Sequence, residues 1–202
     1  MTISRAQAVR RGVRLEALTI AWMLIEGTVA IGAGVAARSV LLTAFGIDSV
    51  IELLSGLALY RRLTGSESLE RQTVRLSAVL LLALCGYVVV SSLAGLALGL
   101  RPEGSVAGLA VSAAAIVAMP LLARAKARVN QVLQSPSLRA DIAETVSCAY
   151  LAAVTLAGLL LSMVWGLWWA QYVAAVALLL WLVPETKEAF EEWRHNGANP
   201  GS

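Results

Sequence analysis

Six apolar stretches of bilayer-crossing length dominate this chain, at about residues 15–36, 39–60, 73–99, 105–123, 138–162 and 164–183. A helix rises 1.5 Å per residue, so a hydrocarbon core of about 30 Å needs about 20 mostly apolar residues. Inside lipid, every backbone N–H and C=O must be satisfied within the protein, which makes the helix the expected form of each stretch. With 58% hydrophobic and 14% charged residues, and a mean hydropathy of +0.75, little sequence remains for an extramembrane domain. The expected fold is all-α, a polytopic membrane protein built as a six-transmembrane-helix bundle. Residues 1–14 form a basic N-terminal segment, 15–183 the membrane domain, and 184–202 a short tail.

Breakers and charges separate the stretches. Arg38 and Ser39 divide the first two, and Arg61 to Arg71, with Gly65, Ser66 and Ser68, forms the second connection. Arg101-Pro102-Glu103-Gly104 reads as a tight turn, and Arg124 to Ser137 as a polar connection containing Pro136. Gly166 and the Trp165, Trp168 and Trp169 cluster mark the last turn, and Pro184 is expected to close the final helix. The tail would then carry a short amphipathic helix through Glu185, Glu188, Glu191 and Glu192, ending in a disordered segment.

Orientation follows from the cations. With both termini cytoplasmic, the inside segments hold fourteen: Arg5, Arg10, Arg11, Arg14, Arg61, Arg62, Arg71, Arg75, Arg124, Lys126, Arg128, Arg139, Lys187 and Arg194. The outside holds Arg38 and Arg101, so the positive-inside bias is strong and favours an even number of spans. An inner or plasma membrane is the expected location. The net charge of +3 therefore reports topology rather than nucleic-acid binding, since no basic stripe is interleaved with stacking aromatics. Cys85 and Cys148 both fall inside apolar runs, which argues against a disulfide scaffold. His195 stands in the polar tail as a solvated residue. The basic N-terminus precedes an apolar run too long for a signal peptide and without a clear cleavage site, so it reads as a retained first span.

Six acids lie within the apolar stretches: Glu16, Glu26, Asp48, Glu52, Asp141 and Glu144. Each is costly there, by at least ~2.5 kcal/mol for a central Asp on insertion scales. Glu16, near the inner interface, is expected to snorkel to water. Glu26 sits near the centre of the first span and must face the bundle interior, as a second-shell or access-path group or as a protonated structural hydrogen bond. Asp48 and Glu52 are four residues apart and share a helix face, where two ionised carboxylates repel. A bound divalent cation or shared protons would relieve that repulsion, and so would a protonated pair bonded to nearby Ser and Thr.

The fifth span places Asp141, Glu144 and Cys148 at i, i+3 and i+7, one stripe of a helix. Thiolate and carboxylate together suit Zn²⁺, a borderline ion that accepts tetrahedral O and S ligands. Alone, Cys148 would read as a small buried hydrophobe, which is also the reading for Cys85. The second and fifth spans run in opposite directions, and Asp48 and Cys148 both fall about nine or ten residues in, near the midplane. Asp48, Glu52, Glu144 and Cys148 thus form a candidate four-ligand cation site, with Asp141 and Glu26 behind it or along the access path. Ser91, Gly95 and Gly99 repeat every four residues in the third span, a small-residue face suited to close helix packing.

Over about residues 14–194 the chain resembles the cation diffusion facilitator (cation efflux) superfamily, in particular its short branch of vesicular zinc-transporter-like transmembrane proteins. Family members carry a His/Asp-xxx-Asp motif on the second span and a His-xxx-Asp motif on the fifth, which together hold a divalent metal. Ser39 to Glu52 looks like the first, with Asp48 and Glu52 at the ligand positions. Ala140 to Cys148 looks like the second, with Glu144 in the His place and Cys148 in the Asp place. Gly166 to Ala170 resembles the start of the family's sixth span, followed by Gln171 where relatives often have Asp. The family's cytosolic metal-binding domain has no counterpart here, so the expected homodimer is held by membrane spans.

The resemblance implies a transporter rather than an enzyme, with no prosthetic group. Zn²⁺ is the first expected substrate, and a site without histidine also admits Cd²⁺, Mn²⁺, Fe²⁺ or Co²⁺. Ligands must lose protons to bind metal, which couples proton entry to metal release. The partners are then the metal cation, protons and the lipid bilayer, with no nucleic acid. Two other readings stand beside it: a membrane-embedded metal-binding or interaction protein without turnover, and a proton-coupled exporter of organic cations, for which Trp22 lies one turn from Glu26.

Overall fold

The computed structural model describes residues 4–64 and 70–198, which form six helices and, among the described residues, no strand. In chain order they are α1 (Arg5–Ala36), α2 (Val40–Leu63), α3 (Glu70–Ala97), α4 (Val106–Leu133), α5 (Pro136–Trp165) and α6 (Ala170–Ala198). The first five are long and apolar enough to cross a membrane. In α6 an apolar half, 170–183, leads into the charged residues Glu185, Lys187 and Glu188. Gly65, Ser66, Glu67 and Ser68 of the second connection, and the end of the tail from 199, lie outside the described residues.

Local chemistry sets the breaks. Ser4 caps α1 in a reciprocal box with Gln7. Arg38 takes a left-handed φ of 52°, which lets Ser39 N–H reach back to Gly34 O at 2.8 Å, and Ser39 Oγ then caps Leu42 N–H at 3.2 Å. Ser135 followed by Pro136 starts α5, and Gly166, at φ 68°, ends it.

Three elements run further than the apolar patterning predicts. α1 begins at Arg5, and α4 continues to Leu133 through most of the expected polar connection. Pro184 does not close the last helix: α6 passes through it to Ala198. Proline removes one backbone donor, and the turn beyond it is anchored, because the buried Thr186 hydroxyl donates to Leu182 O at 2.6 Å and lies 3.6 Å from Cys85 Sγ of α3.

The helices pack as a ring, α1–α2–α3–α6–α5–α4 and back to α1, and α2 also meets α5 and α6 across the middle. α1 and α2 approach at backbone distance. A Cβ on Gly46 would lie 2.7 Å from Ile31 N, and one on Gly34 would lie 2.6 Å from Thr43 N. α3 packs on α6 at Gly95, which lies against the Tyr172 ring. Of the predicted small-residue face, Ser91 is half-buried, and Gly99 turns the chain after α3 with φ 61°.

The bundle is apolar outside and polar within. Leu180 is 75% and Val90 67% exposed, whereas Glu16, Glu26, Asp48, Lys126 and Asp141 are buried among Leu41, Phe45, Met119 and Leu151. An exterior of this kind suits lipid rather than water, so the protein is an all-α polytopic membrane bundle.

Candidate cation site

Three helices bring titratable groups to one place. α2 supplies Asp48 and Glu52, both buried and in direct side-chain interaction. Apart from that contact with Asp48, neither oxygen of Glu52 accepts a hydrogen bond from a described N–H or hydroxyl donor. α1 supplies Glu26, fully buried, whose Oε1 accepts from Ser49 Oγ at 2.8 Å and from Cys148 Sγ at 3.3 Å, while its Oε2 accepts the Trp22 indole N–H. α5 supplies Cys148, also fully buried, with Glu26, Asp48 and Glu52 as its acidic neighbours. The contact between α2 and α5 expected from opposed chain directions is present. Glu26, expected behind the ligands or along the access path, accepts directly from the Cys148 thiol.

Glu144 is half-buried one turn before Cys148 on α5, within electrostatic reach of Glu52. Among the described residues, no three Asp, Glu, Cys or His side chains converge closely enough to hold a metal ion. The expected tetrahedron of Asp48, Glu52, Glu144 and Cys148 is therefore not assembled in this conformation. Glu185 joins the same field, acting on Asp48, Glu52 and Glu144. Sequence reading left it in the tail, and the continuation of α6 past Pro184 carries it within electrostatic reach of the site. There, beyond the apolar run, burial and the neighbouring Glu188 push its carboxyl up to about 7.

Two expectations are corrected, and a third residue gains a partner. Asp141, expected behind the candidate ligands or along the access path, has its Oδ2 2.7 Å from Lys126 Nζ. Lys126, counted from sequence among the cytoplasmic cations, is 1% exposed, because its face of α4 is shared with buried Met119, Leu122 and Val129. Glu16 does not snorkel; it is fully buried, with Oε2 3.1 Å from the same ammonium. Thr145 Oγ1, at 3.4 Å, completes the group.

The interior thus holds two acidic clusters of opposite character. Glu16 and Asp141 share an ion pair with Lys126, whereas no described Lys or Arg is ion-paired with Glu26, Asp48 or Glu52. Three carboxylates could not remain ionised together in an apolar interior, so bound protons or a cation must offset them. Carboxylate and thiol oxygen and sulfur atoms form a donor set that can exchange one for the other. No protein-family model and no curated protein matches this chain.

Proposed function

We propose that this chain is a divalent transition-metal transporter of the cation-efflux kind, exporting Zn²⁺ in exchange for protons through a site between α2 and α5. Asp48, Glu52, Cys148 and Glu144 supply the ligands, and Glu26 orients the thiol and shares the negative field. The observation that carries this reading is Glu52: both oxygens are buried with no described N–H or hydroxyl donor, against the Asp48 carboxyl and within electrostatic reach of Glu26 and Glu144. Such a group invites a cation, and an incoming proton would compete with it for the same oxygens. A modest approach of α5 toward α2 would bring Glu144 and Cys148 onto the Asp48–Glu52 pair, and its reversal would release the metal. Cd²⁺, Mn²⁺, Fe²⁺ and Co²⁺ are competing substrates on the same chemistry.

A second reading, a proton-coupled exporter of organic cations, is favoured by the Trp22 indole on Glu26, an aromatic group beside a buried acid. Thermal unfolding of the purified protein with Zn²⁺ and with a panel of quaternary ammonium ions separates the two. Stabilisation by Zn²⁺ that is lost in Asp48→Asn supports the metal reading. Stabilisation by the organic ions alone sinks it.

A further inference from the structure

Lys126 lies on the cytoplasmic side of the candidate site. Asp141 precedes Cys148 by seven residues, roughly 10 Å along α5 toward the cytoplasm, and Glu144 falls between them. Four helices meet at the ammonium. α1 brings Glu16, α4 Lys126 itself, and α5 Asp141 and Thr145. α2 closes the group at Gly56, where a Cβ would stand 2.8 Å from Glu16 Oε1. α1, α2 and α5 are also the helices that form the site above.

We infer that Lys126 is a tethered competitor for the travelling cation, whose ammonium shuts the cytoplasmic entrance by occupying the Glu16 and Asp141 carboxylates. This rests on the proposed transport function. A buried ion triad is a poor source of stability, since well-packed apolar residues of similar volume commonly do as well or better. What a triad offers is a closure that another cation can open. With Lys126 in place, its charge repels a metal ion approaching Glu144, and the two carboxylates are already taken. A cation or protons arriving at Asp141 and Glu16 release the ammonium. Its four-carbon stem is flexible, and Glu144, one turn along α5, is within its electrostatic reach as the next acceptor. α1, α4 and α5 are then no longer tied together through the ammonium.

The test uses Cys148, buried behind the triad, as a reporter in a Cys85→Ala background. In sealed vesicles with the cytoplasmic face outward, a membrane-impermeant cationic methanethiosulfonate reagent is applied and modification followed by mass. The parent should label slowly, Lys126→Met at least tenfold faster, and Lys126→Arg at the parent rate. Equal rates in the parent and Lys126→Met overturn the inference. If Lys126→Met does not insert, Asp141→Asn, which leaves the ammonium on Glu16, should still accelerate labelling, and no acceleration is equally decisive. The readout needs no metal. Faster labelling with no Zn²⁺ flux in the parent would sink the transport function and leave the closure standing; flux with unchanged labelling would do the reverse.

Discussion

The Cys148 thiol of α5 donates to Glu26 Oε1 of α1 across a distance of 3.3 Å, joining two helices that are not neighbours in the ring. The bond places the first helix in the wall of a site otherwise built from α2 and α5. It also gives the thiol a partner that the proposed metal would have to displace.

Cys148→Ser keeps a donor for Glu26 while replacing a soft sulfur with a hard oxygen. If sulfur is a ligand, affinity for Cd²⁺ should fall about tenfold relative to Mn²⁺, about 1.4 kcal/mol. Competition binding on purified protein measures the ratio, and an unchanged ratio would remove Cys148 from the ligand set.

Lys126→Met leaves Glu16 and Asp141 facing each other in an apolar interior without a cation. Breaking a buried pair in this way costs about 3–5 kcal/mol. The triple variant Glu16→Gln, Lys126→Met, Asp141→Asn removes the charges together and should recover most of that loss in thermal unfolding. Recovery in the triple variant no better than in the single one would show that packing, not charge, is what Lys126 supplies.

The α1–α2 crossing predicts a contrast among glycines. Gly46→Ala places a methyl 2.7 Å from a backbone nitrogen that cannot move alone, and should destabilise the bundle by about 1–3 kcal/mol. Gly32→Ala meets nothing within 4 Å and should be neutral or stabilising by up to about 1 kcal/mol. Melting temperatures in one detergent test both, and equal shifts would contradict the close approach.

Glu185 predicts a pH dependence. Its carboxyl stands at about 7 in the folded chain against an ordinary 4.5, so the folded state holds the proton more tightly than the unfolded one. That contribution is fully present below about pH 4.5 and is lost as pH rises through 7. Glu185→Gln should therefore match the parent near pH 4.5 and become progressively more stable than it toward pH 8. A parallel pair of melting curves across that range would place Glu185 in water.

Much of this was legible in the sequence because it is local. Apolar runs of spanning length became helices, Gly166 marked the end of α5, and the four-residue spacing of Asp48 and Glu52 put both carboxyls on one buried face. Lys126 was misread because Arg124 and Arg128, both exposed, flank it and make the segment look like a basic loop. The signal that could have found it is the buried stripe Met119, Leu122, Lys126 and Val129, at helical spacing. Glu185 was hidden by the assumption that Pro184 stops a helix, when tertiary anchoring of Thr186 carries the helix through. The pairing of Glu26 with Cys148 joins residues 122 positions apart, and no periodicity within either helix encodes it.

The most direct measurement is Zn²⁺ movement in proteoliposomes under an imposed proton gradient, comparing the parent with Glu52→Gln. The substitution preserves the shape of the side chain and removes its ability to carry a negative charge or to exchange a proton. The parent should move Zn²⁺ well above protein-free liposomes, and Glu52→Gln should fall back to their level. Zn²⁺ transport at the parent rate in Glu52→Gln would contradict the account.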